Sequence, residues 1–201
     1  PGVRILCPYD AACLPAPVLA DARRTHPRTV SRTGLAPGPR YRGPGKLPAV
    51  CTARLPAPPA RIPVLGFDDD LRRVRDFVAG YARAAGLPAA RAAELVLAVS
   101  EVAANTLRHS GGGGTVRCWQ VPGELICELR DSGNITDPLA GRRLPRPEQP
   151  GGHGLWLVNR CVDLAEVRTG RHGTTTRLHM GLPRLLTSGN RAGELVGSCL
   201  A

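Results

Sequence analysis

The chain has 201 residues, of which 42% are hydrophobic but only 3% aromatic, so recognition of nucleic acid by stacking bases on rings is excluded. The formal net charge is +11, a value that by itself suggests a polyanionic partner. No apolar run approaches the ~18 residues of a membrane span, which excludes an integral helical membrane protein.

The charge is unevenly placed. Residues 1–66 hold ten Lys/Arg against two acids (Asp10 and Asp21), while residues 67–201 hold seventeen against fourteen. Thirteen of the 20 prolines also fall in the first stretch. The basic character therefore belongs to a Pro-rich leader, and direct nucleic-acid binding loses its main argument. The seven cysteines, at positions 7, 13, 51, 118, 127, 161 and 199, form no Cys-x-x-Cys pair and no Cys/His set with zinc spacing. With no signal sequence at the start, they read as free thiols of a cytoplasmic protein.

In chain order, residues 1–29 contain an apolar VRIL stretch and a short helix at VLADARRTH. Residues 30–63, dominated by proline and glycine, read as a linker without a packed core. Folding is expected to begin near Val64. A helix from about Asp69 to Ala85 has an acidic cap at Asp68–Asp70 and apolar residues Leu71, Val74, Phe77, Val78 and Tyr81 at helical spacing. Gly86 ends it, and Pro88 opens a second helix over about 89–109 that is apolar nearly all round, hence expected to be buried. After Gly111–Gly114, strands 115–121 and 124–130 form a hairpin about Pro122-Gly123. A polar, Pro-rich loop (136–150), a helix over Leu155–Cys161, and a second hairpin of strands 163–169 and 174–180 follow. The order α-α-β-β-α-β-β predicts an α/β two-layer sandwich, with helices on one face of a mixed, mostly antiparallel sheet. Residues 183–201 form a tail without a strong pattern.

Four small features stand out. Glu101 and Asn105 lie four apart on the second helix, so a carboxylate and an amide share one face; they serve either a ligand or a neighbouring loop. Asp131-Ser132-Gly133 leaves a strand, as a carboxylate aimed into a cleft or as an ordinary Asp turn. Gly151-Gly152-His153-Gly154-Leu155 precedes a helix whose N–H groups suit phosphate oxygens, or is a plain flexible loop. Gly173-Thr174-Thr175 sits at a hairpin turn.

Taken in order, Glu-x-x-x-Asn on a helix, Asp-x-Gly after a strand, Gly-x-Gly-Leu before a helix and Gly-Thr-Thr in a late hairpin resemble the Bergerat ATP-binding fold of gyrases, histidine kinases and mismatch-repair ATPases. Within it, LVLAVSEVAANTLRHS, ELRDSG, GGHGLWLVNRCVDLAEV and GTTTRLHM look most like the anti-sigma-factor serine kinases, over roughly 64–182. The resemblance implies that Asn105 holds a Mg²⁺ bridging the phosphates of ATP and that Glu101 acts as general base or polarises the attacking hydroxyl. It implies that Asp131 accepts a hydrogen bond from the adenine amino group while Gly133 lets the base pack closely. Gly152, Gly154 and Leu155 would shape the lid over the phosphates, and Thr175 would support the adenine pocket. The implied activity is transfer of a phosphoryl group from ATP to Ser or Thr of an antagonist protein, controlling a sigma factor. The implied partners are that antagonist and the sigma factor, with no nucleic acid, no membrane, and a homodimer as the assembly.

Ile135 stands where the family usually has a second glycine after Asp-x-Gly. Apart from Thr136 at its start, the loop 136–150 has no threonine or lysine where many such kinases contact phosphate, and Arg142, Arg143 and Arg146 are the cations at hand. Two further readings therefore stand beside the kinase: a nucleotide-gated binding module without transfer, and a histidine-kinase-like ATPase domain. At the other end, LCPYDAACLPAPVLADARRTHPR is similar to the last strand and helix of a MEDS-type sensory domain. On that resemblance residues 1–29 are the remnant of a sensor, 30–63 a linker, 64–182 the ATP-binding domain and 183–201 a tail.

Overall fold

Polar caps and chain breakers set the element boundaries. The computed structural model describes residues 6–31, 34–38, 40–41, 55–137, 139–145 and 152–183. The chain divides into one unit of Pro1–Pro48 with Thr187–Ala201 and another of Ala49–Leu186.

In the first unit, α1 (Ala16–Thr25) lies where the sequence predicts a helix. It is followed by β1 (Arg28–Ser31) and β2 (Gly34–Pro37), paired antiparallel with Val30 opposite Leu35. This hairpin crosses into the stretch expected to be linker. Val30 and Leu35 remain 65% and 48% exposed, so it forms without a core of its own.

The second unit begins with β3 (Leu65–Phe67), a strand too short for periodicity to reveal. In α2 (Leu71–Ala84), the Asp70 carboxylate accepts from the backbone N–H groups of Arg72 at 2.9 Å and Arg73 at 3.2 Å, satisfying two donors that the helix leaves free. Its C-terminus closes with Gly86 N–H on the Arg83 carbonyl and Leu87 N–H on that of Ala82, tucking Leu87 into the core. The long helix α3 (Ala89–His109) follows. Then come β4 (Gly114–Val121), β5 (Glu124–Asp131), α4 (His153–Cys161), β6 (Leu164–Gly170) and β7 (Gly173–Gly181).

The five strands run β3-β4-β5-β7-β6, and every described pairing is antiparallel. Val116, Cys118, Leu125, Cys127, Leu129, Leu178 and Met180 on one sheet face join Val74 and Val78 of α2, Leu95 and Val99 of α3, and Val158 of α4 in a single buried core. Each such side chain contributes about 1.5–3 kcal/mol by leaving water. Helix α3 is buried along one face rather than all round; Leu97 is 43% exposed. Cys118 and Cys127 face each other across β4 and β5 with sulfurs 2.9 Å apart. The hydrogen bond between them, and then burial, push the Cys127 thiol well above its ordinary range.

No helix among the described residues of this unit packs on the opposite sheet face. There Glu128, 1% exposed, accepts from Arg117, from Arg130 Nε at 2.8 Å and from Arg177 Nε at 2.6 Å. Burial raises the Glu128 carboxyl, but the hydrogen bonds and charges of these arginines outweigh it and hold the group below the usual range. Arg177 also donates to the Pro56 carbonyl. The proline-rich run expected to be free linker up to residue 63 therefore touches the sheet in its last part.

Candidate functional site

A cavity of about 710 Å³ opens between α3, the end of β5, the loop after it, the first turn of α4 and β7. That volume lies within the roughly 300–1,000 Å³ of small-molecule sites. Three kinds of local structure converge on it. The helical period of α3 brings Asn105, Thr106 and His109 to the wall. The pleat of β5 aims odd-numbered residues at the helices, so Leu129 is core and Asp131, at the strand's end, meets the cavity. Finally Gly152 is the N-cap of α4, and its left-handed backbone (φ 83°) turns the chain so that Gly152, Gly154 and Leu155 line the wall.

At one end of the cavity a continuous hydrogen-bonded chain fixes the acid. Thr106, 2% exposed, donates its hydroxyl to Asp131 Oδ2 at 2.8 Å. The Gly133 N–H donates to Asp131 Oδ1 at 2.8 Å. Thr174 Oγ1 then donates to the Gly133 carbonyl at 2.9 Å. The carboxylate of Asp131 is thus held in one orientation, with further lone pairs directed at the cavity.

Farther along, Gly154 comes close to α3. A Cβ placed there would lie 2.8 Å from Glu101 Oε2 and 3.4 Å from Asn105 Nδ2. Glycine lets the N-terminal turn of α4 approach these two polar groups without displacing them. Neither Glu101 nor Asn105 has a side-chain hydrogen bond to a neighbour among the described residues, unlike a pair whose purpose is to tether a loop. Glu101 Oε2 and Asn105 Oδ1 are hard oxygen donors beside a helix N-terminus. Such a set suits a magnesium ion shared with phosphate oxygens, since that ion commonly takes one or two protein ligands. No cluster of three or more His, Cys, Asp or Glu residues fit for a metal exists among the described residues, so a metal here would rely on its ligand for further oxygens.

The loop over the cavity is anchored at its base. Asn159 Nδ2 donates to the Gly141 carbonyl at 3.2 Å, and Arg142 Nη2 donates to the Ala165 carbonyl at 2.9 Å. Of the arginines considered as phosphate contacts, Arg142 is engaged on β6, Arg143 lines the cavity, and Arg146 lies outside the described residues. Ile135, in place of the second glycine, lines the wall, and its N–H is bound by Thr169 Oγ1 at 3.2 Å.

The structure gathers Asn105, Asp131, Gly133, Gly152, Gly154 and Leu155 around one cavity, with Glu101 adjoining at Gly154. Thr175 is a correction. Strand alternation places Thr174 and Thr176 on the cavity wall, so Thr175 belongs to the opposite sheet face. The motif Gly-Thr-Thr was legible, but its spacing alone does not say which threonine points inward. Thr106 was missed as well; its one sequence signal is a hydroxyl one residue after Asn105 on the inward face of α3.

A family profile described as a histidine kinase-like ATPase domain matches residues 68–180. No curated protein matches the chain. Among solved structures, the RsbU and RsbW domains of Rv1364c from Mycobacterium tuberculosis match with 22% identity and a TM-score of 0.44, covering 60% of this chain and 32% of that one. The present chain thus spans about a third of that protein's solved length.

Proposed function

Because the chain belongs to the histidine kinase-like ATPase domain family, we propose that it is an ATP-binding regulator of the anti-sigma-factor kinase type. The observation that carries this reading is the pairing of two different ends in one cavity. Asp131, oriented by Thr106 and Gly133, supplies a fixed acceptor at one end, and Glu101 with Asn105 lies against Gly154 and the start of α4 at the other.

In this reading Asp131 selects adenine by accepting from its amino group, and Gly133 leaves room for the base. Thr174, rather than Thr175, supports that pocket through Gly133. Asn105 Oδ1 would hold Mg²⁺ against the phosphates, and that ion supplies charge neutralisation there. The N–H groups of α4 beyond Gly152 face the phosphates. Glu101 takes the proton of the attacking hydroxyl, a Ser or Thr of an antagonist protein. The partners are that antagonist and a sigma factor, met in the cytoplasm by a homodimer. Residues 1–29 are the end of a MEDS-type sensor, residues 64–182 the ATP-binding domain and 183–201 a tail. No helix among the described residues is long and apolar enough to cross a membrane. A nucleotide-gated binding module without transfer is the second reading, favoured by Ile135 in the cavity wall where the family pattern calls for glycine.

The test has two stages. A non-hydrolysable ATP analogue with Mg²⁺ should stabilise the protein by about 2.7 kcal/mol at a hundredfold excess over Kd, and the GTP analogue should not; equal or absent shifts would overturn adenine recognition. Labelled ATP with candidate antagonists then tests transfer. Labelling that survives Glu101→Ala unchanged removes Glu101 as base, and binding without any labelling selects the second reading.

A further inference from the structure

The sheet face turned away from α2, α3 and α4 is less exposed than its composition predicts. Trp119 and Ile126, directly opposite each other on β4 and β5, are each 7% exposed, and Arg177 of β7 is 4% exposed. Residues 55–63 meet this face at Pro56. Leu55, Pro58 and Ile62 are half-buried, and the Pro56 carbonyl accepts from Arg177 Nη2 at 2.5 Å. The guanidinium carbon of Arg177 lies 5.2 Å from the Trp119 ring centroid, in cation–π range. Prolines at 56, 58, 59 and 63 lack backbone donors, so this run cannot join the sheet as a sixth strand. It has to lie across the face, presenting carbonyls to side-chain donors, which is the role Arg177 fills. Arg61, within the run, adopts the left-handed region at φ 63°, the sole non-glycine to do so among the described residues. A bulky residue holds that backbone only where its surroundings impose it.

We propose that this sheet face is an interaction surface for the extended proline-rich segment, and that the docked segment acts as a strap that tunes the nucleotide site. The path is short. The strap holds Arg177, and Arg177 holds Glu128 across β5 and β7. The neighbours of Arg177 along the same strand, Thr174 and Thr176, form the far wall of the cavity, where Thr174 also fixes the Gly133 carbonyl. A docked strap favours the β7 position that completes the adenine end, and an undocked one relaxes it. The coupling half of this proposal rests on the nucleotide reading above; the docking half does not.

The experiment uses the full chain with Trp156→Phe, which leaves Trp119 as the single tryptophan. Adding Leu55→Asp and Ile62→Asp charges the strap without touching the cavity. Trp119 emission should move to the red and its acrylamide quenching should rise. The Kd for adenylyl imidodiphosphate with Mg²⁺, measured by calorimetry, should weaken by about five-fold or more, the scale of ordinary coupling between sites. In the unsubstituted protein the reciprocal effect is expected: the nucleotide should slow tryptic cleavage after Arg61. Unchanged Trp119 quenching overturns docking. Freed Trp119 with unchanged Kd, or cleavage after Arg61 indifferent to the nucleotide, overturns coupling. A parent protein that binds no nucleotide refutes the functional reading and the coupling with it, while the quenching result still decides docking.

Discussion

Replacing Glu128 with Gln tests the electrostatics of the sheet directly. The Glu128 side chain is fully buried, and four donor atoms from Arg117, Arg130 and Arg177 converge on its two oxygens. Glutamine keeps the shape but turns one acceptor into a donor facing guanidinium donors. Arg130 is 53% exposed and recovers water, and Arg117, at 19%, does so in part. Arg177, at 5%, does not. Removing one partner of a buried ion pair costs about 3–5 kcal/mol, and the partial escape of two arginines sets the expectation at the lower end, about 3 kcal/mol. For a unit of this size that lowers Tm by roughly 10 °C.

The pH dependence supplies a second signature. The Glu128 carboxyl is depressed in the folded state, so its stabilisation is present above the unfolded value and lost as pH falls through the folded one. The parent should therefore lose stability progressively below about pH 4.5, the ordinary glutamate value. The Gln variant should show a flatter acid limb. Thermal unfolding followed by circular dichroism at pH 7, and at steps down to about pH 3, measures both. A variant within about 2 °C of the parent, or with the same acid slope, would refute the claim that this carboxylate is held by its arginines.

Other consequences concern the glycines and thiols. Gly154→Ala meets only the flexible side-chain ends of Glu101 and Asn105, and Ala in a helix gains up to about 1 kcal/mol over Gly. Tm should hold or rise while Mg²⁺-nucleotide binding weakens about tenfold, a loss of about 1.4 kcal/mol; unaltered binding by calorimetry argues against this close approach. Gly173→Ala is the contrasting case, since its Cβ would lie 1.9 Å from the Asp131 carbonyl at φ 105°, where backbone has to move. It should lower the unfolding free energy measured in urea by about 3 kcal/mol or more; a near-neutral result would contradict the tight hairpin. Under native alkylation mapped by mass spectrometry, exposed Cys7 and Cys13 should react while buried Cys118 and Cys127 stay protected until unfolding. Rapid labelling of the buried pair would show that the core opens far more readily than its packing implies.

Local chemistry alone determined much of this protein. Asp70 and Gly86 mark the ends of α2, the Pro122-Gly123 turn sets the register of β4 and β5, and helical spacing puts Glu101 and Asn105 on one face. These features depend on residues within a few positions of one another, so a linear reading reaches them. The short β3 and the β1–β2 hairpin escaped because neither buries enough side chain to leave a period.

What required the tertiary structure is whatever depends on two distant strands meeting. The inward threonine is Thr174 because the pairing of β7 with β5 fixes which face looks at α3. Thr106 matters because its hydroxyl reaches Asp131, twenty-five residues away. The net charge of +11 divides differently in space as well. Most of the excess sits in the Pro-rich leader, as the sequence alone shows. Yet three arginines of the near-neutral domain are drawn together on one buried glutamate, and one of them reaches back to Pro56. Composition counts charges, but only the fold brings them within a few ångströms, where Coulomb energy and desolvation determine what each one does.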